Sequence, residues 1–387
     1  MGSLEAEPPT TSTESRLFTP LPLGPLTLSH RIILAPLTRY RCSPSHVPLP
    51  MMAEYYAQRA STPGTLLIAE ATQISPRAGA GGMPNAPALW DEEHIEGWKV
   101  VTDKVHARGC FVFCQLIALG RAARVEGLDG GEVCAPSAIP MPRDGTGAEA
   151  KRVVPRELTD EEIWGIIEDY GIAAGNAIKA GFDGVEVHGA NGYLVDQFLQ
   201  DVTNQRSDGW GGSVAARSRF AVEVAKRIVS VVGAERVGFR LSPWNTWQGM
   251  KMTDPVPQFV EMVRKLRDLG LAYLHLVESR VINNVDTVKV EGLEPFLEAW
   301  GTEAPVIVAG GYNAHNTREA VDGGYAKYNV AVAFGRHFLA NPDLPLRLQQ
   351  GLELNKYDRA SFYTPRQEAG YTDYPFSNKL TAHVDGH

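Results

Sequence analysis

The chain is poor in the features that mark several large functional classes. It holds only four cysteines, Cys42, Cys110, Cys114 and Cys134, and no Cys-x-x-Cys pair. Neither a zinc site nor a disulfide framework is indicated, and the expected compartment is a reducing one, the cytoplasm. Basic residues do not dominate: 37 Lys and Arg against 45 Asp and Glu leave a net charge of −8. That balance disfavours nucleic acid and membrane surfaces, which bind proteins through clustered Lys and Arg. It does not exclude one small anionic cofactor, whose phosphate a single local arginine can serve. No apolar run reaches the roughly 18–20 residues of a membrane span. No Gly-x-Gly-x-x-Gly follows a first strand, so a doubly wound dinucleotide fold is not signalled.

What the chain has in quantity is glycine (38) and proline (26), hence many turns and loops. Between them a β-rich apolar run alternates with a helical stretch. The runs are Arg31–Pro36, Thr65–Thr72, Cys110–Leu116, Gly184–His188, Arg236–Ser242, Ala272–Glu278, Pro305–Gly311 and Asn329–Arg336. They are continuous rather than alternating, which marks strands buried on both faces, as in a parallel sheet. Thr159 and Glu162 form a capping-box pattern that opens a helix over Asp160–Ala180, ended by Gly181. Further helices are expected over Asp91–Arg108, Arg219–Val232 and Pro257–Asp268. Eight such units make an α/β protein, a single eight-stranded parallel β/α (TIM) barrel. The Gly- and Pro-rich excursion 118–158 is expected to cap one barrel mouth. Residues 1–15 read as a disordered polar tail rather than a signal peptide, 16–378 as the barrel, and 379–387 as a frayed end.

In such barrels the active site lies at the carboxyl ends of the strands. The polar residues there include Thr38, Gln115, His188, Arg240 and Arg336. Gly310, Gly311, Gly335 and Arg336 close the last two strands, where barrels often bind phosphate through backbone N–H groups. The Gly-Gly pair or the Gly-Arg pair alone reads as turn glycines plus a solvated arginine. The two together leave that reading and phosphate binding evenly matched. His188-Gly-Ala-Asn191-Gly-Tyr193 is the sharpest constellation. His188 alone reads as a satisfied strand-end histidine. With Asn191 it supplies two N–H donors that can converge on one carbonyl oxygen, and Tyr193 can deliver a proton to the carbon beside it.

At these residues the chain strongly resembles the Old Yellow Enzyme family of FMN-dependent ene-reductases. The resemblance runs from about Leu17 to Asn378. It rests on Ala35-Pro36-Leu37-Thr38-Arg39, Gln115-Leu116 with Gly120-Arg121, the His188–Leu194 segment, Asn204-Gln205-Arg206-Ser207-Asp208, Arg240-Leu241-Ser242-Pro243, Gly335-Arg336 and Asn341-Pro342-Asp343-Leu344. It implies non-covalent FMN at the barrel mouth and NADPH as hydride donor. The flavin ring would be packed by Pro36, Leu37 and Ala71, tuned by Thr38, and met at its pyrimidine by Gln115 and Arg240. Its phosphate would lie on Gly310, Gly311, Gly335 and Arg336. His188 and Asn191 would bind the substrate carbonyl, Tyr193 would be the proton donor, and Tyr363 would line the pocket. The implied cycle is ping-pong reduction of the C=C bond of an α,β-unsaturated aldehyde or ketone. The expected partner is that small molecule, with no nucleic acid or membrane, and the expected assembly is a monomer or homodimer.

Two departures bear on substrate choice. Many relatives carry Trp where this chain has Ile117, and often Tyr where Met83 stands. Both changes reshape the pocket, and Trp244 and Trp247 offer apolar area at the rim or are buried loop aromatics. An alternative on the same fold is a dedicated biosynthetic reductase or isomerase for one bulky enone or enal. A flavin-free barrel, either a metal-dependent hydrolase or a binding protein, is the competitor from another class. No His-x-His is present to support the hydrolase.

Overall fold

The computed structural model describes residues 15–79, 81–128, 130–142, 153–279, 281–282, 285–286 and 291–380. Eight strands form the barrel: β1 (Ile32–Leu34), β2 (Leu66–Ile68), β3 (Phe111–Ile117), β4 (Gly184–Gly189), β5 (Val237–Leu241), β6 (Tyr273–Val277), β7 (Val306–Ala309) and β8 (Val330–Phe334). Each pairs in parallel with its sequence neighbours. The β8–β1 pairing closes the ring. All eight expected strands are present, and the reason their runs lack alternation is visible. One set of side chains, including Ile33, Leu66, Ile68, Phe113, Tyr273 and Ile307, fills the barrel interior. The other set, including Ile32, Leu67, Val112, Val187, Leu274 and Val308, packs outward against the helices. Both faces are therefore apolar. The interior is crowded: a Cβ on Gly238 would lie 2.1 Å from the Tyr273 ring.

An antiparallel hairpin, Leu21–Leu23 with Leu26–Leu28, was not foreseen in the sequence. Its Leu21, Leu23 and Leu28 join the interior cluster. Gly24 at its turn, with φ +54°, approaches the Glu235 carbonyl and Ala272, just before β5 and β6. The hairpin thus plugs the amino-terminal mouth and leaves the carboxyl mouth for chemistry.

The capping box of Thr159 and Glu162 is formed, and its helix runs over Asp160–Lys179. The helix expected from Arg219 instead spans Val214–Val232, because the Ser213 side chain caps the Ala216 N–H five residues earlier than anticipated. The sequence reading ends the polar tail at residue 15. Ser15 is buried and caps the short helix Arg16–Phe18, while residues 1–14 lie outside the described ones. The terminal stretch 381–387 lies outside them too.

The excursion after β3 is described except for residue 129 and residues 143–152. It contains a parallel pair, Cys134–Ala135 with Arg156–Glu157. Arg121 ties it to the carboxyl mouth by donating to the Gln248 carbonyl at 2.7 Å. None of the described helices is long and apolar enough to cross a membrane. The four cysteines are free.

Candidate active site

The carboxyl mouth holds one cleft that gathers nine of the expected site residues. Pro36, Leu37, Asn191, Arg240, Gly310, Gly311, Gly335, Arg336 and Tyr363 line it. Thr38 follows Leu37 and is half-buried. Ala71, Gln115, Ile117, His188 and Tyr193 do not line it themselves: His188 pairs with Arg240 in the β4–β5 register, Gln115 is bonded to Glu186, and Ala71, Ile117 and Tyr193 meet in one apolar cluster.

His188 sits on β4 opposite Arg240 of β5 and is 4% exposed. Its Nδ1 accepts the Ala190 backbone N–H at 3.3 Å. An accepting Nδ1 leaves the ring proton on Nε2, which is thereby a donor. Burial, with the Arg240 charge adding to it, pushes His188 well below the ordinary histidine range. It is a neutral donor at physiological pH.

Asn191 adopts the left-handed conformation, φ +57°, which Asn tolerates better than most residues. Its N–H donates to Ser242 Oγ at 2.8 Å, and its carbonyl accepts Gln248 Nε2 at 2.9 Å. Both partners follow β5, so the Asn191 backbone is pinned from the neighbouring loop where the residue lines the cleft. The next N–H, of Gly192, donates to buried Asp196 at 2.8 Å. Burial raises the Asp196 carboxyl to about 7. Tyr193 stands edge-on to His188 and to Trp247. Burial raises its hydroxyl pKa, so it keeps its proton.

Arg240 reaches the cleft with its Nε buried and without a hydrogen-bond partner among the described residues. Burial lowers its pKa, and the charge of Glu186 offsets part of that. Gln115 donates its Nε2 to Glu186 Oε1 at 2.7 Å, and His275 Nδ1 meets Oε2 at 2.8 Å. Glu186 and His275 were missed in the sequence. The signal was there: Glu186 lies two residues before His188 on a strand, hence on the same inward face.

At the other end, Gly310 and Gly311 have φ of +111° and +69°. Gly335 packs against Leu37, whose side chain would be 3.4 Å from an added Cβ. Arg336 donates to the Tyr357 hydroxyl at 3.2 Å and lies over its ring. Arg359, also unforeseen, lines the same end.

The C-terminal segment is drawn over the cleft by buried arginines. Arg39 donates to the carbonyls of Phe362 (3.0 Å) and Gly370 (2.8 Å), and Arg41 donates to that of Ser361 (3.0 Å). This sets Tyr363 at the rim, its ring 5.8 Å from that of Tyr40. Ile117 and Met83 share one apolar cluster with Ala71 and Leu119, against which Tyr40 and Tyr193 pack. The two departures thus occupy a single wall. Trp247 lines the cleft, whereas Trp244 is a loop aromatic bonded to the Gly292 carbonyl and packed on Phe296. Among the described residues no group of three or more His, Cys, Asp or Glu side chains is placed to hold a metal ion.

The chain is similar to known proteins over most of its length. Residues 16–355 match the NADH:flavin oxidoreductase / NADH oxidase family. A chanoclavine-I aldehyde reductase of Penicillium roqueforti is 52% identical over 373 residues, 96% of this chain and 99% of that protein. An NADP-dependent oxidoreductase of Aspergillus flavus is 50% identical, over 94% of this chain and 97% of its own. The solved structure of the Old Yellow Enzyme homologue from Zymomonas mobilis aligns with a TM-score of 0.85 at 39% identity, covering 93% of this chain and 99% of that one. A closed parallel barrel with this mouth and these relatives places the chain in the NADH:flavin oxidoreductase / NADH oxidase family, among the Old Yellow Enzyme homologues.

Proposed function

We propose that residues 16–378 form one catalytic unit that binds FMN non-covalently and uses NADPH to reduce the C=C bond of an α,β-unsaturated aldehyde or ketone. The observation that carries this reading is buried His188, its Nδ1 accepting the Ala190 N–H, beside Asn191 and Tyr193 at the carboxyl mouth.

The cleft's donors fit FMN. Arg240 has a buried N–H in need of an acceptor, and a pyrimidine carbonyl supplies one. Pro36, Leu37 and Ala71 would pack around the ring, with Thr38 near its carbonyl edge and Gln115 at the pyrimidine. Gly310, Gly311 and Gly335 offer close backbone approach, and Arg336 a fork for the phosphate. When bound, FMN would supply hydride transfer between nicotinamide and substrate.

The chain's own residues do the rest. His188 Nε2–H and the Asn191 carboxamide bind the carbonyl oxygen and stabilise the negative charge that grows on it. Neutral His188 binds by hydrogen bonding without surrendering its proton. Tyr193, kept protonated by burial, donates to the carbon beside the carbonyl. Tyr363, Trp247 and the Ile117–Met83 wall shape the substrate volume and exclude water.

A second reading narrows the substrate to one bulky enal of a biosynthetic route. It is supported by the aldehyde reductase at 52% identity and by the aliphatic wall at Ile117. Four free cysteines accord with the cytoplasm as its location, and the assembly is taken as a monomer or homodimer.

The test is direct. Purified protein titrated with FMN should turn yellow, a phenol should add a long-wavelength charge-transfer band, and an enal should reoxidise the NADPH-reduced form. A protein that binds no FMN would end the proposal. Comparing small enones with bulky enals in the reoxidation step separates the two readings.

A further inference from the structure

We infer that Glu186 is a positioning residue for the cofactor. By occupying the amide N–H of Gln115, it makes Gln115 present an acceptor, Oε1, to the pyrimidine edge, and its charge balances Arg240 there. The inference rests on the FMN reading above.

The argument begins with placement. Glu186 is fully buried in the barrel interior, opposite Gln115 in the β3–β4 register. Each of its oxygens is engaged, Oε1 by Gln115 at 2.7 Å and Oε2 by His275 at 2.8 Å. Burial opposes the Glu186 charge, but His275, Arg240 and Gln115 outweigh it and hold its carboxyl below the ordinary range. Burial pushes His275 down in turn, so the pair is a carboxylate with a neutral imidazole donor. A carboxylate only accepts. It therefore decides which end of the Gln115 amide turns toward it, and Oε1 remains for a ligand. The pyrimidine edge of a flavin offers one N–H flanked by two carbonyls. An acceptor at Gln115 and a cation at Arg240 complement that edge, whereas a donor at Gln115 would not satisfy the N–H. Glu186 also sets one negative charge against the Arg240 cation, so it acts on the electron affinity of a ring bound above them.

Glu186→Gln removes both effects, because an amide can donate as well as accept and carries no charge. The experiment is a double-mutant cycle on the full chain with Gln115→Ala, read by FMN titration, together with the flavin midpoint potential of the single variant. Glu186→Gln alone should weaken FMN binding about tenfold, the scale of a misplaced charged hydrogen bond. It should also move the potential upward, since a reduced anionic flavin then meets less negative charge. In the Gln115→Ala background the affinity loss should largely vanish. An equal loss in both backgrounds with an unmoved potential means that Glu186 only supports the fold, and overturns the inference. If Glu186→Gln does not fold, Gln115→Met decides. It keeps the carboxylate and the packing, and unchanged FMN affinity overturns the proposal. A wild-type chain that binds no FMN removes the underlying reading and this inference with it. A wild type that binds FMN without coupling between the two sites removes the inference alone.

Discussion

The ring of Tyr193 stands edge-on to the imidazole of His188, with centroids 4.9 Å apart and planes at 75°. The residues proposed as proton donor and as hydrogen-bond donor to the carbonyl thus pack directly against each other. Replacing Tyr193 by Phe keeps this packing and removes the hydroxyl. Flavin reoxidation by an enal should slow by about 10²–10⁴, while reduction by NADPH stays nearly unchanged. Stopped-flow traces of the two half-reactions check this, and equal slowing of both would refute the proton-donor role.

His188 and Asn191 should act as a pair of donors. Asn191→Ala should lower the enal reoxidation rate by about 10²–10³. Because burial holds His188 well below its ordinary range, phenol binding should show no inflection near the usual histidine value of about 6.5. A pH series of phenol titrations reads this directly. Because burial also raises the nearby Asp196 carboxyl to about 7, the series is repeated with Asp196→Asn, and an inflection that persists there means that His188 titrates and is no fixed neutral donor.

Arg336 lies at the glycine-lined end of the cleft. Arg336→Met should weaken FMN binding by roughly 10–100-fold, the value of a charge-assisted hydrogen bond. Binding of riboflavin, which lacks the phosphate, should be unaffected. Parallel fluorescence titrations with the two flavins decide, and equal losses would place Arg336 elsewhere in the binding geometry.

Ile117 is 1% exposed within the apolar wall. Ile117→Trp should displace that wall into the substrate volume. Bulky enals should lose about tenfold or more in kcat/KM, and small cyclic enones much less, since overpacking costs about 1–3 kcal/mol. Unchanged selectivity in a steady-state comparison would show that the wall does not meet substrate.

His30 should make the stability of the fold depend on pH. Its Nδ1 accepts the Ile32 N–H at 3.2 Å and its Nε2 meets Thr65 Oγ1 at 2.9 Å, an arrangement only the neutral ring can make. Burial lowers its pKa from 6.5 to about 4. Between these values the unfolded chain binds a proton that the folded chain refuses, so this contribution is lost as pH falls. Relative to His30→Gln, the wild type should lose about 3 kcal/mol between pH 7.5 and 4. Urea unfolding of both proteins across that range measures it, and a constant difference would mean that His30 titrates normally.

Much of this molecule was legible in the chain. The eight apolar runs announced the barrel because strands buried on two faces have no polar side to alternate with. The His188–Tyr193 segment was legible because its residues are neighbours in sequence, and a strand end followed by Asn-Gly leaves few conformations. The helix start at Val214 was misplaced because its cap, Ser213, lies in a glycine-rich stretch without apolar period. The hairpin Leu21–Leu28 escaped notice since its strands are three residues each.

By itself the sequence determined the fold class and the family, since periodicity and motif order are properties of neighbouring residues. Tertiary structure alone decided how distant residues meet. It brought Glu186, Gln115, His275 and Arg240 together from four strands, spaced far apart in the chain but side by side in the barrel interior. It placed Gln248 against the Asn191 carbonyl and used Arg39 and Arg41 to hold the C-terminal segment over the cleft. It also determined the protonation state of His188, because that depends on burial and on Arg240, which lies opposite in register but 52 residues further along the chain.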